Sequence, residues 1–278
     1  TDDKITESAE NTGSKTIVLV ESEERQLLWQ PFSDQNRGVY SIQRNLYKNA
    51  HGNKVIFEEV NHDLALTFRY QWAASELYGF VRSARLESSA PTTTKVSVLD
   101  GVQNVLPFGV PEGLQRGSSN LVDAYKKCEL EEGHLGVYAL SAIISDKAEP
   151  SESLKANVVW SIGFDAPTVL LSSKQLQNFK VGNDLVTETE IKAERGAYFI
   201  QSSFELEAHS GKDWMMVANL GQSIRGVIRL KQDLQSPDAL KQEVLQDIEQ
   251  GAHRLIELVA GSDGLQLTAD RRRNIRHF

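Results

Sequence analysis

The sequence predicts a mainly β protein: two large antiparallel sheets packed face to face, followed by an amphipathic helix. Three observations lead there. Short apolar or alternating runs recur from residue 15 onward, separated by turn signals. No helical periodicity intervenes between them, which argues against βαβ units. The last stretch then changes to a helical stripe with its own start and stop residues.

Residues 1–14 are small and polar and are expected to be loose. Order is expected to begin with the β-branched run Lys-Thr-Ile-Val-Leu-Val at 15–20. Runs at 26–32, 38–43, 54–60, 64–72 and 77–86 follow. In the fourth, Leu64, Leu66, Phe68 and Tyr70 alternate with Ala65, Thr67, Arg69 and Gln71. That period of two turns one face to a core and the other to solvent. Turns are marked by Gly38 after a polar loop, by His51-Gly52-Asn53 and by Asn61-His62-Asp63.

Strands are predicted at 95–99, 121–128, 134–145, 155–164, 169–171, 195–208 and 214–219, ahead of a further apolar run at 224–230. Residues 172–179 read as a helical turn or a loop. Ser236 and Pro237 then supply an N-cap and a first-turn proline, and Gly261 a stop. Between them Leu240, Val244, Leu245, Ile248, Ala252, Leu255, Ile256 and Val259 form one stripe over 237–260. A second helix is expected near Thr268-Ala269-Asp270. A single barrel with that many strands would be too wide for side chains to fill, so two packed sheets fit better.

Composition narrows the function. Thirty basic against thirty-eight acidic residues give a net charge of −8, no basic field for a nucleic-acid backbone. No stretch approaches the ~18 apolar residues of a membrane span. Cys128 is the only cysteine, which excludes an intrachain disulfide and a thiol metal cluster and favours a reducing, cytoplasmic setting. The start at Thr1 and the end at Arg276-His277-Phe278 read as cut from a longer product.

Chemical motifs are sparse. There is no phosphate loop, no dinucleotide fingerprint and no nucleophile elbow. The six histidines form no metal-ligand pair, and no cofactor or metal is expected; His62 beside Asp63 could act only with distant partners. Asp100 is the carboxylate of interest, in Val98-Leu-Asp-Gly-Val-Gln-Asn-Val-Leu-Pro107. One reading makes Asp100, Gln103 and Asn104 substrate contacts at a cleft. The other, preferred, makes Asp100-Gly101 a turn with Asn104 capping nearby amides. Glu129, Glu131 and Glu132 read as a solvated hairpin end, and Trp29, Trp72, Trp160 and Trp214 as core residues ahead of sugar platforms. Arg271, Arg272, Arg273 and Arg276 could meet phosphate, but a helix facing missing neighbours is the better reading.

This order of parts resembles the N-terminal region of cellobiose-phosphorylase-like carbohydrate enzymes. Three stretches carry the likeness. Residues 80–87 (Phe-Val-Arg-Ser-Ala-Arg-Leu-Glu), leading to 95–99, look like that group's paired strands. Residues 99–107 are similar to a stretch of its longer members, and 260–278 to the approach to a helical barrel. Over roughly 16–278 the resemblance implies a β-supersandwich of galactose-mutarotase-like fold, at 15–234, with a helical linker at 235–278. It further implies a missing C-terminal (α/α)6 catalytic domain as partner, an oligo- or disaccharide ligand, and dimer contacts. The family's general acid and most phosphate contacts lie in that barrel, so none maps onto this chain. The aromatic-and-acid loop that borders the family's site is not found here.

The leading expectation is therefore a non-catalytic sandwich of a glycoside phosphorylase or hydrolase. Two alternatives stand beside it. A self-sufficient epimerase needs a facing His and Glu, for which His134 with Glu205 or Glu207 is the pairing to test. A stand-alone carbohydrate-binding module needs exposed tryptophans along a groove.

Overall fold

The computed structural model describes residues 10–22, 25–35, 37–110, 112–142 and 154–262. The first half of the chain contributes β1 (Gly13–Glu21), β2 (Gln26–Trp29), β3 (Ile42–Lys48), β4 (Val55–Asn61), β5 (Leu66–Ser75), β6 (Gly79–Ser88) and β7 (Thr94–Val105). Two short helices, α1 (Glu112–Gly117) and α2 (Ser119–Ala124), precede β8 (Lys126–Glu131), β9 (Leu135–Leu140), β10 (Lys155–Ile162) and β11 (Thr168–Leu170). Then come α3 (Leu176–Lys180), β12 (Glu190–Lys192), β13 (Gly196–Leu206), β14 (Gly211–Ser223), α4 (Ile224–Asp233) and α5 (Pro237–Gly261).

The strands form a five-stranded sheet, β11-β13-β7-β1-β2, and a nine-stranded sheet, β12-β8-β9-β10-β14-β6-β5-β4-β3. Every pairing among them is antiparallel. The two-sheet architecture with a C-terminal amphipathic helix is the one expected.

Three apolar layers explain the sequence patterns. Between the sheets, Val18, Val98, Tyr198 and Ile200 meet Phe68, Leu86, Trp214 and Met216. On the outer face of the small sheet, Ile17, Leu19, Leu99 and Phe199 are covered by Leu176 and Phe179 of α3. On the outer face of the large sheet, Val81, Val158, Trp160 and Val217 lie under Leu230, Leu240, Val244 and Ile248 of α4 and α5. Strand β1 is buried on both faces and so reads as a continuous apolar run, whereas the first half of β5 buries one face only and alternates, before Ala73 and Ser75 turn the other face under α5.

Several boundaries differ from the sequence expectation. Residues 38–39 belong to a turn and Tyr40 to a bend, and the strand starts at Ile42. Residues 119–124 are helical, so the strand expected at 121–128 begins only at Lys126. Residues 224–230 belong to α4, where Ser223 caps the start by accepting from the Gly226 amide at 3.3 Å. Helix α5 matches the expected span, although Ser236 makes no side-chain cap. The second helix expected near 268–270, and Arg271 to Arg276, lie outside the described residues.

Helix α5 is fastened at its middle. The buried Asp247 carboxylate accepts from Ser75 Oγ at 2.5 Å and the Leu77 amide at 3.2 Å, both in the β5–β6 hairpin. Burial raises the Asp247 pKa, but the Ser75 hydroxyl and the hairpin amides outweigh it and hold the group below its ordinary range. Because the folded-state pKa is lowered, the clamp is at full strength above the ordinary carboxylate pKa of ~4 and is lost as pH falls through the lower folded value. Asp247→Ala is expected to cost about 2 kcal/mol at neutral pH, as loss of a charged hydrogen-bond acceptor does. Denaturant titrations at neutral and acid pH check this; the variant's deficit should shrink in acid.

Candidate functional site

The residues singled out in the sequence do not converge on one surface. Asp100 sits mid-strand in β7 with 0% exposure, so the turn reading of Asp100-Gly101 is corrected. Its Oδ1 accepts from Thr16 Oγ1 at 2.6 Å, and its Oδ2 from Trp214 Nε1 at 2.6 Å and from Arg82 Nη1. Arg82, also at 0% exposure, lies 4.5 Å from the Tyr70 ring centroid. Thr16 and Asp100 come from the small sheet, Arg82 and Trp214 from the large one. Asp100 is thus one half of a buried ion pair that joins the sheets, closed off from any ligand at the surface.

Gly101 has a different reason from a turn. A Cβ there would stand 2.1 Å from the Tyr198 carbonyl oxygen and 2.4 Å from Phe199 Cδ1. Glycine is what lets β13 lie this close to β7.

Gln103 is buried and donates through Nε2 to the Glu10 carbonyl at 2.8 Å. Asn104 has φ of 54°, and the β7–β13 register shifts beside it, where Gly196 pairs with Val105 but Ala197 with Gln103. Asn104 is therefore the extra residue of a β-bulge, in the left-handed conformation that asparagine tolerates. It lines a small polar pocket of about 310 Å³ with Asn11, Ser172, Ser173, Lys174, Glu194, Arg195 and Gly196.

The acid–base pairing considered for an epimerase is not formed. His134 lies at the β8–β9 turn, where its carbonyl accepts from Tyr198 Oη at 2.6 Å. Burial pushes its imidazole pKa down. Glu205 is seven residues beyond Tyr198 along β13, which at ~3.3 Å per residue is about 23 Å away. It is exposed, beside Lys95 at 3.6 Å, and Glu207 lies past the strand end. Trp29, Trp160 and Trp214 are buried, as core residues should be, and Trp72 is partly buried.

Cys128 is buried in β8, and burial pushes its thiol pKa up to about 12. A thiol this protonated is a poor nucleophile. Native protein is expected to resist a maleimide at mildly alkaline pH and to take up one label on unfolding. Labelling without denaturant would show a looser β8 than described.

A cleft that sequence reasoning missed lies between the open edges of the two sheets. Strand β2 brings Trp29, β3 brings Ile42 and Arg44, β4 brings Glu59, and the connection between β2 and β3 supplies Ser33, Asp34, Arg37 and Tyr40. The volume is about 510 Å³. Glu59 is 1% exposed. Its carboxylate accepts from Trp29 Nε1 at 2.9 Å, the Phe32 amide at 2.7 Å and Arg44 Nε at 2.7 Å. Arg44 also reaches Asp34 Oδ1 at 3.4 Å and the Ser33 carbonyl at 3.0 Å.

This arrangement ties the charged side chains of the cleft to one another. Both carboxylates of the cleft, Glu59 and Asp34, sit on Arg44, whereas glycosidic acid–base work needs one carboxyl free to give up a proton and another to take one or attack. A signal for it was present in the sequence. Glu58-Glu59 interrupts the apolar run of β4, and both side chains are buried, Glu58 against Asn45 at 2.7 Å and Tyr47 at 3.1 Å. Among the described residues no group of three or more His, Cys, Asp or Glu could hold a metal ion, and no helix is long and apolar enough to cross a membrane.

Fold and site together define a two-sheet β-supersandwich with a trailing helix. No protein-family model and no curated protein matches the sequence. Solved structures do match the fold. A bacterial glucoamylase complexed with acarbose superposes with a TM-score of 0.50 at 8% identity, over 84% of this chain and 30% of its own. A human-microbiome protein named as a putative kojibiose phosphorylase gives 0.41 at 9% identity, over 85% and 25%. A polysaccharide lyase gives 0.39 at 9% identity, over 76% and 26%. The chain thus spans about a third or less of the length of each. The glucoamylase match shows the fold, in keeping with the sandwich expected of a phosphorylase-like region.

Proposed function

We propose that this chain is a non-catalytic, carbohydrate-associated sandwich of a larger glycoside phosphorylase or hydrolase. It would shape one wall of a sugar site and carry the contacts to an (α/α)6 catalytic domain or to a second subunit. The observation that carries this reading is the outer half of α5. Leu240, Val244, Asp247 and Ile248 are buried, but no residue from Glu249 to Ser262 is. Ile256 is 43% and Leu258 73% exposed, beside the partly buried Leu255 and Val259. At 1.5 Å per residue this is about 20 Å of helix with an uncovered apolar face, which calls for a partner surface.

The fold of a glucoamylase supports the carbohydrate context, and the ion-paired or separated state of Asp100, Glu59, His134 and Glu205 supports the lack of turnover. A free, buried Cys128 agrees with a reducing compartment. The test is an assay of the purified chain against a panel of disaccharides, with and without phosphate, alongside a mutarotation assay on free glucose. No turnover is expected. Turnover abolished by His134→Ala would overturn the reading in favour of an epimerase.

A further inference from the structure

We infer that the cleft between the sheet edges binds a neutral sugar ring; the inference rests on the carbohydrate reading above and assigns a ligand to a site on this chain. Its volume of about 510 Å³ falls in the range of small-ligand sites, ~300–1,000 Å³. The charged lining is balanced, Arg37 and Arg44 against Asp34 and Glu59, so neither an anion nor a cation is favoured. A sugar hydroxyl both donates and accepts, and this lining offers fixed acceptors and donors side by side.

The wall is held by hydrogen bonds within the protein. Glu59 is locked by three donors from three different segments, and Tyr40 is held by its hydroxyl donating to the Leu28 carbonyl at 2.9 Å. A preformed wall lowers the ordering cost of binding. Ile42 gives an apolar surface for the ring's C–H groups. Arg37 alone is poised without engagement: its exposed guanidinium has no hydrogen bond or ion pair among the described residues, leaving its donors for a ligand.

The experiment is a ligand-observed NMR titration of the whole chain with D-glucose and maltose, with D-glucuronate and D-glucosamine as charged controls. Three proteins are compared: wild type, Arg37→Ala and Ile42→Trp, each first shown to keep its far-ultraviolet circular dichroism. Saturable binding of glucose or maltose is expected, weaker by about tenfold in Arg37→Ala, the loss of one charge-assisted hydrogen bond. Ile42→Trp, which fills the cleft, should abolish it. The inference is overturned if wild type binds neither neutral sugar, if both variants bind like wild type, or if a charged control binds more tightly than glucose. Such a failure leaves the accessory-domain reading intact, because that reading falls only on turnover or on the absence of a following domain.

Discussion

Replacing Asp100 with alanine is expected to destabilise the protein by about 3–5 kcal/mol, the cost of leaving a buried charge without its partner. The physical reason is specific to the clamp. Arg82 has no exposed surface, and the remaining neighbours of its guanidinium, Tyr70 and Thr16, cannot neutralise it. Trp214 Nε1 and Thr16 Oγ1 lose their acceptor at the same time. At roughly 2–4 °C per kcal/mol for a chain of this size, the melting temperature should fall by about 10 °C. The paired replacement Asp100→Leu with Arg82→Met should recover part of that, since no buried charge is then left unpaired, while the Trp214 and Thr16 donors remain without their acceptor. Thermal melts of the three proteins check this. A single-variant loss under about 1 kcal/mol would show that water reaches Arg82.

The second large effect is expected at Gly101. Gly101→Ala places a methyl within 2.1 Å of a backbone oxygen, and the obstacle is a strand, not the tip of a flexible side chain. Strands β7 and β13 pair along almost their whole length, so neither can yield locally without breaking register. The cost should reach or exceed the ~3 kcal/mol top of the usual overpacking range. Urea midpoints measure it. An unchanged midpoint would mean that the β7–β13 approach is looser than described.

These two neighbours also show how far the sequence could be read. Alternation along β5, the continuous apolar run of β1, and the proline and glycine that bracket α5 are local signals, and each named its element correctly. The Asp100-Gly101 pair sent the reading toward a turn because local chemistry favours turns for that dipeptide. What decides otherwise is tertiary. Arg82, Trp214 and Tyr198 lie 18, 114 and 98 residues away in sequence (100 to 82, 214 and 198), and no local window contains them. The apolar run at 224–230 carries no type of its own in the sequence: Val227 and Leu230 face the large sheet at helical spacing, while Ile224 and Ile228 are exposed, and this mixture blurs the helical stripe.

The edge cleft was hidden for a related reason. It is assembled from β2, β3, β4 and one loop, and only the sheet order brings these together. The adjacent acids Glu58 and Glu59 were its legible trace. A carboxylate inside a run of apolar strand residues needs a buried partner, and two in succession need partners on both faces of the sheet. Asn104 illustrates the same limit. The sequence assigns its amide a capping role, yet its Oδ1 has no hydrogen-bond partner among the described residues, and its place in a bulge depends on the pairing of β7 with β13.

The most direct measurement on the central claim is the length and content of the encoding reading frame downstream of Phe278. The account predicts that it continues into a long helical region able to cover Ile256, Leu258 and the rest of the outer face of α5. A stop codon directly after Phe278 would contradict it, leaving that face without its proposed covering domain.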